Sequence, residues 1–109
     1  MPTPRLTHPT VLVLYAIAHG HPYGFDVIDA TGLGSGTVYP ILRRLQRAGL
    51  LRATRERARD AYAAGRPPRR YYELTGAGAG ALREALARHP GIAALLAGAS
   101  ATTLRPRPA

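Results

Sequence analysis

Ten arginines lie between residues 43 and 70: Arg43, Arg44, Arg47, Arg52, Arg55, Arg57, Arg59, Arg66, Arg69 and Arg70. Only Glu56 and Asp60 oppose them, so about a quarter of the chain carries +8 of the net +9. A guanidinium is planar, permanently charged and able to hold a phosphate or a base edge with two parallel hydrogen bonds. If the fold gathers this segment on one face, that face attracts a polyanion. The flanks are nearly neutral: residues 1–42 sum to −1 and residues 71–109 to +2. All fifteen cations are arginine. A bias toward arginine on a solvated surface explains the absence of lysine, but not the clustering.

Other chemistry has little to stand on. There is no cysteine, which removes disulfides, thiolate metal sites and a cysteine nucleophile, and fits a reducing cytoplasm. Four histidines occur, His8, His19, His21 and His89. His19-x-His21 offers two nitrogen ligands where a metal site needs three or four, so a pair lining a turn is favoured. The glycines at 32, 34 and 36 lack the Gly-Lys-Ser/Thr ending of a phosphate-binding loop. No Ser-His-Asp set or carboxylate pair suggests catalysis. The expectation is a non-enzyme without metal or cofactor. No run of 18 apolar residues exists to span a membrane. Arg5 with the apolar run Val11–Ala18 loosely resembles a leader, but the run is short and a buried first helix is favoured.

The elements that must carry the arginines follow from periodicity and punctuation. Residues 1–8 read as a flexible arm. Pro9 opens a first helix over about 9–19, closed by His19-Gly20-His21-Pro22. A short second helix runs from Tyr23 to Thr31, with Phe25, Val27 and Ile28 as apolar contacts and Asp26 and Asp29 facing water. The third, about 35–48, buries Val38, Ile41, Leu42 and Leu45 at helical spacing. Its other side presents Ser35, Thr37, Tyr39, Pro40, Arg43, Arg44 and Arg47, with Tyr39 at the edge of the buried stripe. Pro40 implies a helix starting near Thr37 or distorted first turns. Residues 50–54 and 69–74 form strands of a hairpin around an exposed basic loop, 55–68. Of Tyr71 and Tyr72, on opposite strand faces, one is core. Thr75 caps a helix reaching Arg88, which Gly76, Gly78 and Gly80 weaken. His89-Pro90-Gly91 interrupts it before a short apolar helix near 92–98, and residues 100–109 form a disordered tail.

Three helices, a hairpin and a further helix make a mainly α fold, the winged helix-turn-helix. Its third helix enters a major groove, and its wing reaches phosphates or the minor groove. Within this order, Gly36-Thr37-Val38-Tyr39-Pro40, Leu42-x-x-Leu45 and Gly49-Leu50-Leu51 resemble the recognition-helix signature of PadR-type regulators. Tyr23-Gly24 and the run from Gly65 to Thr75 resemble that family's second helix and wing. The likeness spans about residues 11–87. It implies a homodimeric repressor that binds a palindromic promoter in double-stranded DNA and releases it on binding a small molecule. It also implies that Thr37, Tyr39, Pro40 and Arg43 lie at the DNA, with Arg70 and Tyr72 near the wing base.

Residues 9–75 are therefore expected to be the DNA-binding domain, and 76–99 a helical dimerisation segment. Wing contacts are assigned to Arg57, Arg59, Arg66, Arg69 and Arg70. A dimer or effector interface is assigned to Tyr15, Leu82, Leu86, Ile92, Leu95 and Leu96. The segment departs from the family in its break at Pro90, and the chain lacks the tryptophan on which some members stack ligands. The alternatives are a nucleoid-type protein with little sequence choice and a metal-responsive sensor using His19 and His21.

Overall fold

The computed structural model describes residues 6–99, so the expected disordered tail over 100–109 and most of the expected arm lie outside the described residues. The elements run α1 (His8–Ala18), α2 (Gly24–Thr31), α3 (Ser35–Arg47), β1 (Leu51–Arg55), α4 (Ala58–Ala63), β2 (Arg70–Leu74), α5 (Gly76–Arg88) and α6 (Pro90–Ala99). This is a winged helix-turn-helix: three helices, then a two-stranded antiparallel hairpin, then the C-terminal helices.

α1 begins at His8, one residue earlier than expected, with Thr7 as N-cap and Pro9 in the first turn, where a missing N–H costs nothing. It is the central element. Val11, Val13, Leu14, Tyr15, Ala16 and Ile17 are all buried, so the helix is apolar around most of its circumference. Around it pack Val27 and Ala30 of α2, the expected stripe of α3, Leu50, Leu51 and Tyr72 of the hairpin, and Ala81, Leu82 and Ala85 of α5.

α2 differs from expectation in its facing. Gly24, Val27 and Ala30 recur every three residues and are buried. Phe25 is then nearly opposite Val27 on the helix wheel. It is 78% exposed, while Asp26 is half-buried. Gly32, at φ 74°, closes α2 in the left-handed conformation and turns the chain toward α3.

The hairpin register pairs Leu51 with Leu74, Arg52 with Glu73, Ala53 with Tyr72, Thr54 with Tyr71 and Arg55 with Arg70. Tyr72 is the core tyrosine of the pair. A bridge between Tyr23 and Tyr71, with the Tyr72 amide donating to the Pro22 carbonyl at 2.7 Å, lays the segment before α2 along the free edge of β2. Residues 55–68 are not the continuous loop expected: they contain α4. Arg57 is its N-cap, Asp60 lies in the first turn, and Ala61 is its one buried residue, at 1% exposure.

Thr75 caps α5 as expected, accepting from the Gly78 amide at 3.0 Å. Its own amide and hydroxyl donate to the carbonyls of Leu50 and Gly49. The chain turns at His89, so α6 starts at Pro90, two residues earlier than expected, and packs on α5. Among the described residues, no helix is long and apolar enough to cross a membrane.

Candidate nucleic-acid interface

The outward face of α3 is built by its periodicity. Once Val38, Ile41, Leu42 and Leu45 turn inward, Ser35, Thr37, Arg43, Arg44 and Arg47 are left exposed. The helix starts at Ser35, with both Thr37 and Val38 amides donating to the Gly34 carbonyl at 3.0 Å. Pro40 therefore lies inside the helix and half-buried, where it has no N–H to offer the Gly36 carbonyl. The sharing of the Gly34 carbonyl is ordinary at a helix start and recurs at α4 and α6, so the helix begins at Ser35, before Thr37, and accommodates Pro40 in its interior.

Tyr39 is 39% exposed, and its ring lies over Gly24 of α2. A Cβ at Gly24 would stand 2.6 Å from the ring's Cε1, so glycine is what lets the ring seat there. Tyr39 thus both packs and faces outward. It opens on a groove of about 900 Å³. Phe25, Asp26 and Asp29 form one wall, and the wing from Arg66 to Arg70 forms the other. Tyr39 is the α3 residue that shares this groove with the wing.

On the wing, Arg55, Arg57, Arg59, Arg69 and Arg70 are exposed. Arg55 lies directly across the ladder from Arg70. Like charges in that position repel, and a bound anion relieves the repulsion. Arg69 additionally lies over the Tyr23 ring, 4.6 Å from its centroid.

Arg66 is placed differently from the other wing arginines. Its guanidinium forks onto the Glu56 carboxylate, donating to both oxygens, with Nη2 to Oε2 at 2.9 Å. Glu56 also accepts from the Arg69 amide at 3.2 Å and from the Tyr71 hydroxyl at 2.8 Å. These donors, Arg66 foremost, hold the Glu56 carboxyl down at about 2 against the opposing push of burial. Tyr71 is pushed up to about 12 by its bond to Glu56 and its contact with Tyr23. Sequence reasoning missed this cluster. Its one signal was that Glu56 interrupts an otherwise basic run, between Arg55 and Arg57.

The expected dimer residues divide. Tyr15 and Leu82 are buried within the chain's own core, at 8% and 7% exposure. Leu86 and Ile92 are half-buried against that core. Leu95 and Leu96 belong to α6, but their side chains lie outside what is described. The two candidate metal histidines also part. His19 stacks on Tyr15 with ring centroids 3.9 Å apart. His21 is buried, with Nδ1 3.4 Å from Asp26 Oδ2. Among the described residues, no three metal-binding side chains cluster.

Comparison with known proteins agrees with this geometry. Residues 13–84 match the model of the Transcriptional regulator PadR-like family. A PadR family transcription regulator from Clostridium difficile R20291 superposes with a TM-score of 0.68 at 18% identity, over 84% of this chain and 97% of that one. One from Eggerthella lenta DSM 2243 gives 0.60 at 24% identity, over 84% and 83%. The PcaV transcriptional regulator from Streptomyces coelicolor, solved in complex with its natural ligand, gives 0.65 at 26% identity, over 84% of this chain and 62% of that one. Comparison with curated protein sequences gave no match. With the family model covering most of the folded core, the chain belongs to the PadR-like family of transcriptional regulators.

Proposed function

We propose that this regulator is a dimeric repressor that reads a palindromic operator and leaves it when a small molecule binds. The observation that carries the DNA-reading part is the groove lined both by Tyr39 of the recognition helix and by Arg69 and Arg70 of the basic wing. In this reading Thr37, Tyr39, Arg43, Arg44 and Arg47 face base edges and nearby phosphates, while Arg57, Arg59, Arg69 and Arg70 bind the backbone or minor groove. Arg66 supports the wing through Glu56 rather than touching DNA.

Dimerisation is assigned to α5 and α6, with Leu86 and Ile92 at the seam and Leu95 and Leu96 continuing it. Support comes from the apolar sequence of α6. The effector site is placed between these helices and α1. The ligand-bound structural neighbour supports only the idea that such folds accept small molecules.

The test is fluorescence anisotropy on the DNA upstream of the protein's own gene and on a scrambled duplex, across a salt series. Specific recognition predicts a preference on the order of a thousandfold or more. Arg43→Ala with Arg44→Ala should abolish most of that preference. Equal binding to both duplexes would establish nucleoid-type binding instead, and a monomer at micromolar concentration by light scattering would refute the dimer.

A further inference from the structure

Of the two acids among the wing arginines, Asp60 is exposed and Glu56 is turned inward. Glu56 follows β1, yet three of its partners come from the other limb of the wing: the Arg66 guanidinium, the Arg69 amide and the Tyr71 hydroxyl. Its own amide donates to the Arg69 carbonyl at 2.7 Å, extending the ladder by one step. Its side chain is 8% exposed. Tyr71 in turn packs on Tyr23, ring centroids 4.7 Å apart, and Tyr23 carries Arg69 over its face. The chain of contacts runs from a buried carboxylate, through the wing, to the start of α2.

We infer that Glu56 is a positioning residue for DNA binding, a negative charge inside a positive face whose removal weakens binding. It acts through Arg66, Arg69 and Tyr71, and it touches no nucleic acid. Its charge is spent on Arg66, so the outward field of Arg55, Arg57, Arg59, Arg69 and Arg70 is little reduced. The inference rests on the DNA-binding reading above. It makes a prediction opposite in sign to simple electrostatics. Neutralising an acid beside phosphates should tighten binding if charge alone mattered. Loosening the platform that holds the arginines should weaken it, because a mobile cation must be ordered on binding.

The experiment uses Glu56→Gln, which keeps the shape and removes the charge, and Tyr71→Phe, which removes one donor and leaves the ion pair. Duplex affinity is measured by anisotropy across salt, and amide hydrogen exchange at residues 56 and 69 is measured without DNA. For Glu56→Gln the expectation is binding weaker by about tenfold or more and a salt slope shallower by about two, as wing phosphates are lost. Faster exchange at both amides should accompany it. Tyr71→Phe should lie between this variant and the wild type, and it carries the test if Glu56→Gln does not fold. Unchanged or tighter duplex binding, or unchanged exchange at residues 56 and 69, would overturn the inference. If the wild type binds no duplex, the DNA-binding reading falls and takes the binding role of Glu56 with it, while the exchange data still decide whether Glu56 orders the wing.

Discussion

Two glycines of α5, two residues apart, should respond oppositely to the same substitution. Gly80 sits in open surroundings: an added Cβ would meet only Arg83 Nη2, at 3.8 Å. Replacing it with alanine should stabilise the protein by about 0.5–1 kcal/mol through helix propensity alone. At Gly78 the same methyl would lie 2.0 Å from the Leu50 carbonyl oxygen and 2.9 Å from its carbon. That oxygen cannot retreat cheaply, since it accepts the Thr75 amide at 3.1 Å while the Leu50 amide is bonded to Leu45. Moving α5 away would disrupt the Thr75 cap and its bond to Gly49. Overpacking costs about 1–3 kcal/mol and a lost cap about 1 kcal/mol, against a gain of at most about 1 kcal/mol from propensity. Gly78→Ala should therefore be destabilised by about 1–3 kcal/mol. In a domain of this size each kcal/mol moves Tm by about 4–8 °C, so the two variants, about 1.5–4 kcal/mol apart, should melt about 6–30 °C apart. Paired thermal melts by circular dichroism measure this. Equal melting temperatures, or Gly78→Ala the more stable, would refute the close approach of α5 to the base of the wing.

Three further outcomes follow from the site. Gly24→Ala should change stability little but displace the Tyr39 ring, which its Cβ would meet at 2.6 Å, and so weaken specific over scrambled DNA binding in the anisotropy assay. The Glu56 carboxyl, depressed from 4.5 to about 2, contributes stability that is present above pH 4.5 and lost as pH falls from there toward 2. Tyr71, raised from 10 to about 12, contributes stability present below pH 10 and lost as pH rises toward 12. Urea midpoints against pH should show both limbs in the wild type, and Tyr71→Phe should flatten the alkaline one. Arg70→Gln should relieve the repulsion across from Arg55 and raise stability by a few tenths of a kcal/mol at low salt, fading at high salt, while lowering DNA affinity.

Regular burial made part of the fold legible from the sequence. Val38, Ile41, Leu42 and Leu45 recur at a helical period because one face of α3 is buried along its length, and the bounds of the helix followed to within a residue. The hairpin followed from turn chemistry and tyrosine content, with the first strand displaced by one residue and the second starting one residue later than expected. Elements with a single anchor were not legible. α4 buries only Ala61, so its six residues show no period, and its charged residues read as loop. Phe25 was read as core because of its type, but the spacing of Gly24, Val27 and Ala30 governs the facing of α2. Gly78 read only as a weak helix residue, because its role depends on a backbone 28 positions away in sequence. The Glu56 cluster was hidden for the same reason: each partner has ordinary chemistry alone, and their convergence is set by hairpin register.

The locally unfavourable features are not scattered. Pro40 costs α3 a hydrogen bond, Arg55 faces Arg70 across the ladder, and Phe25 and Tyr39 leave aromatic surface in water. Of these, Phe25, Tyr39 and Arg70 line one groove, and Pro40 follows Tyr39 directly. Elsewhere the local rules hold: α1 buries apolar side chains and one threonine, Thr10, whose hydroxyl is paired with Thr7, Thr75 caps α5, and Glu56 is fully paired. A sequence that obeys local rules in its core and breaks them along one face is accepting strain where a partner will relieve it. A polyanion relieves the arginine repulsion, and flat aromatic rings find partners in sugars and base edges. Tyr62 is the exception that separates this explanation from a general one. It is 87% exposed on α4, outside the lining of the groove, and no contact among the described residues explains it.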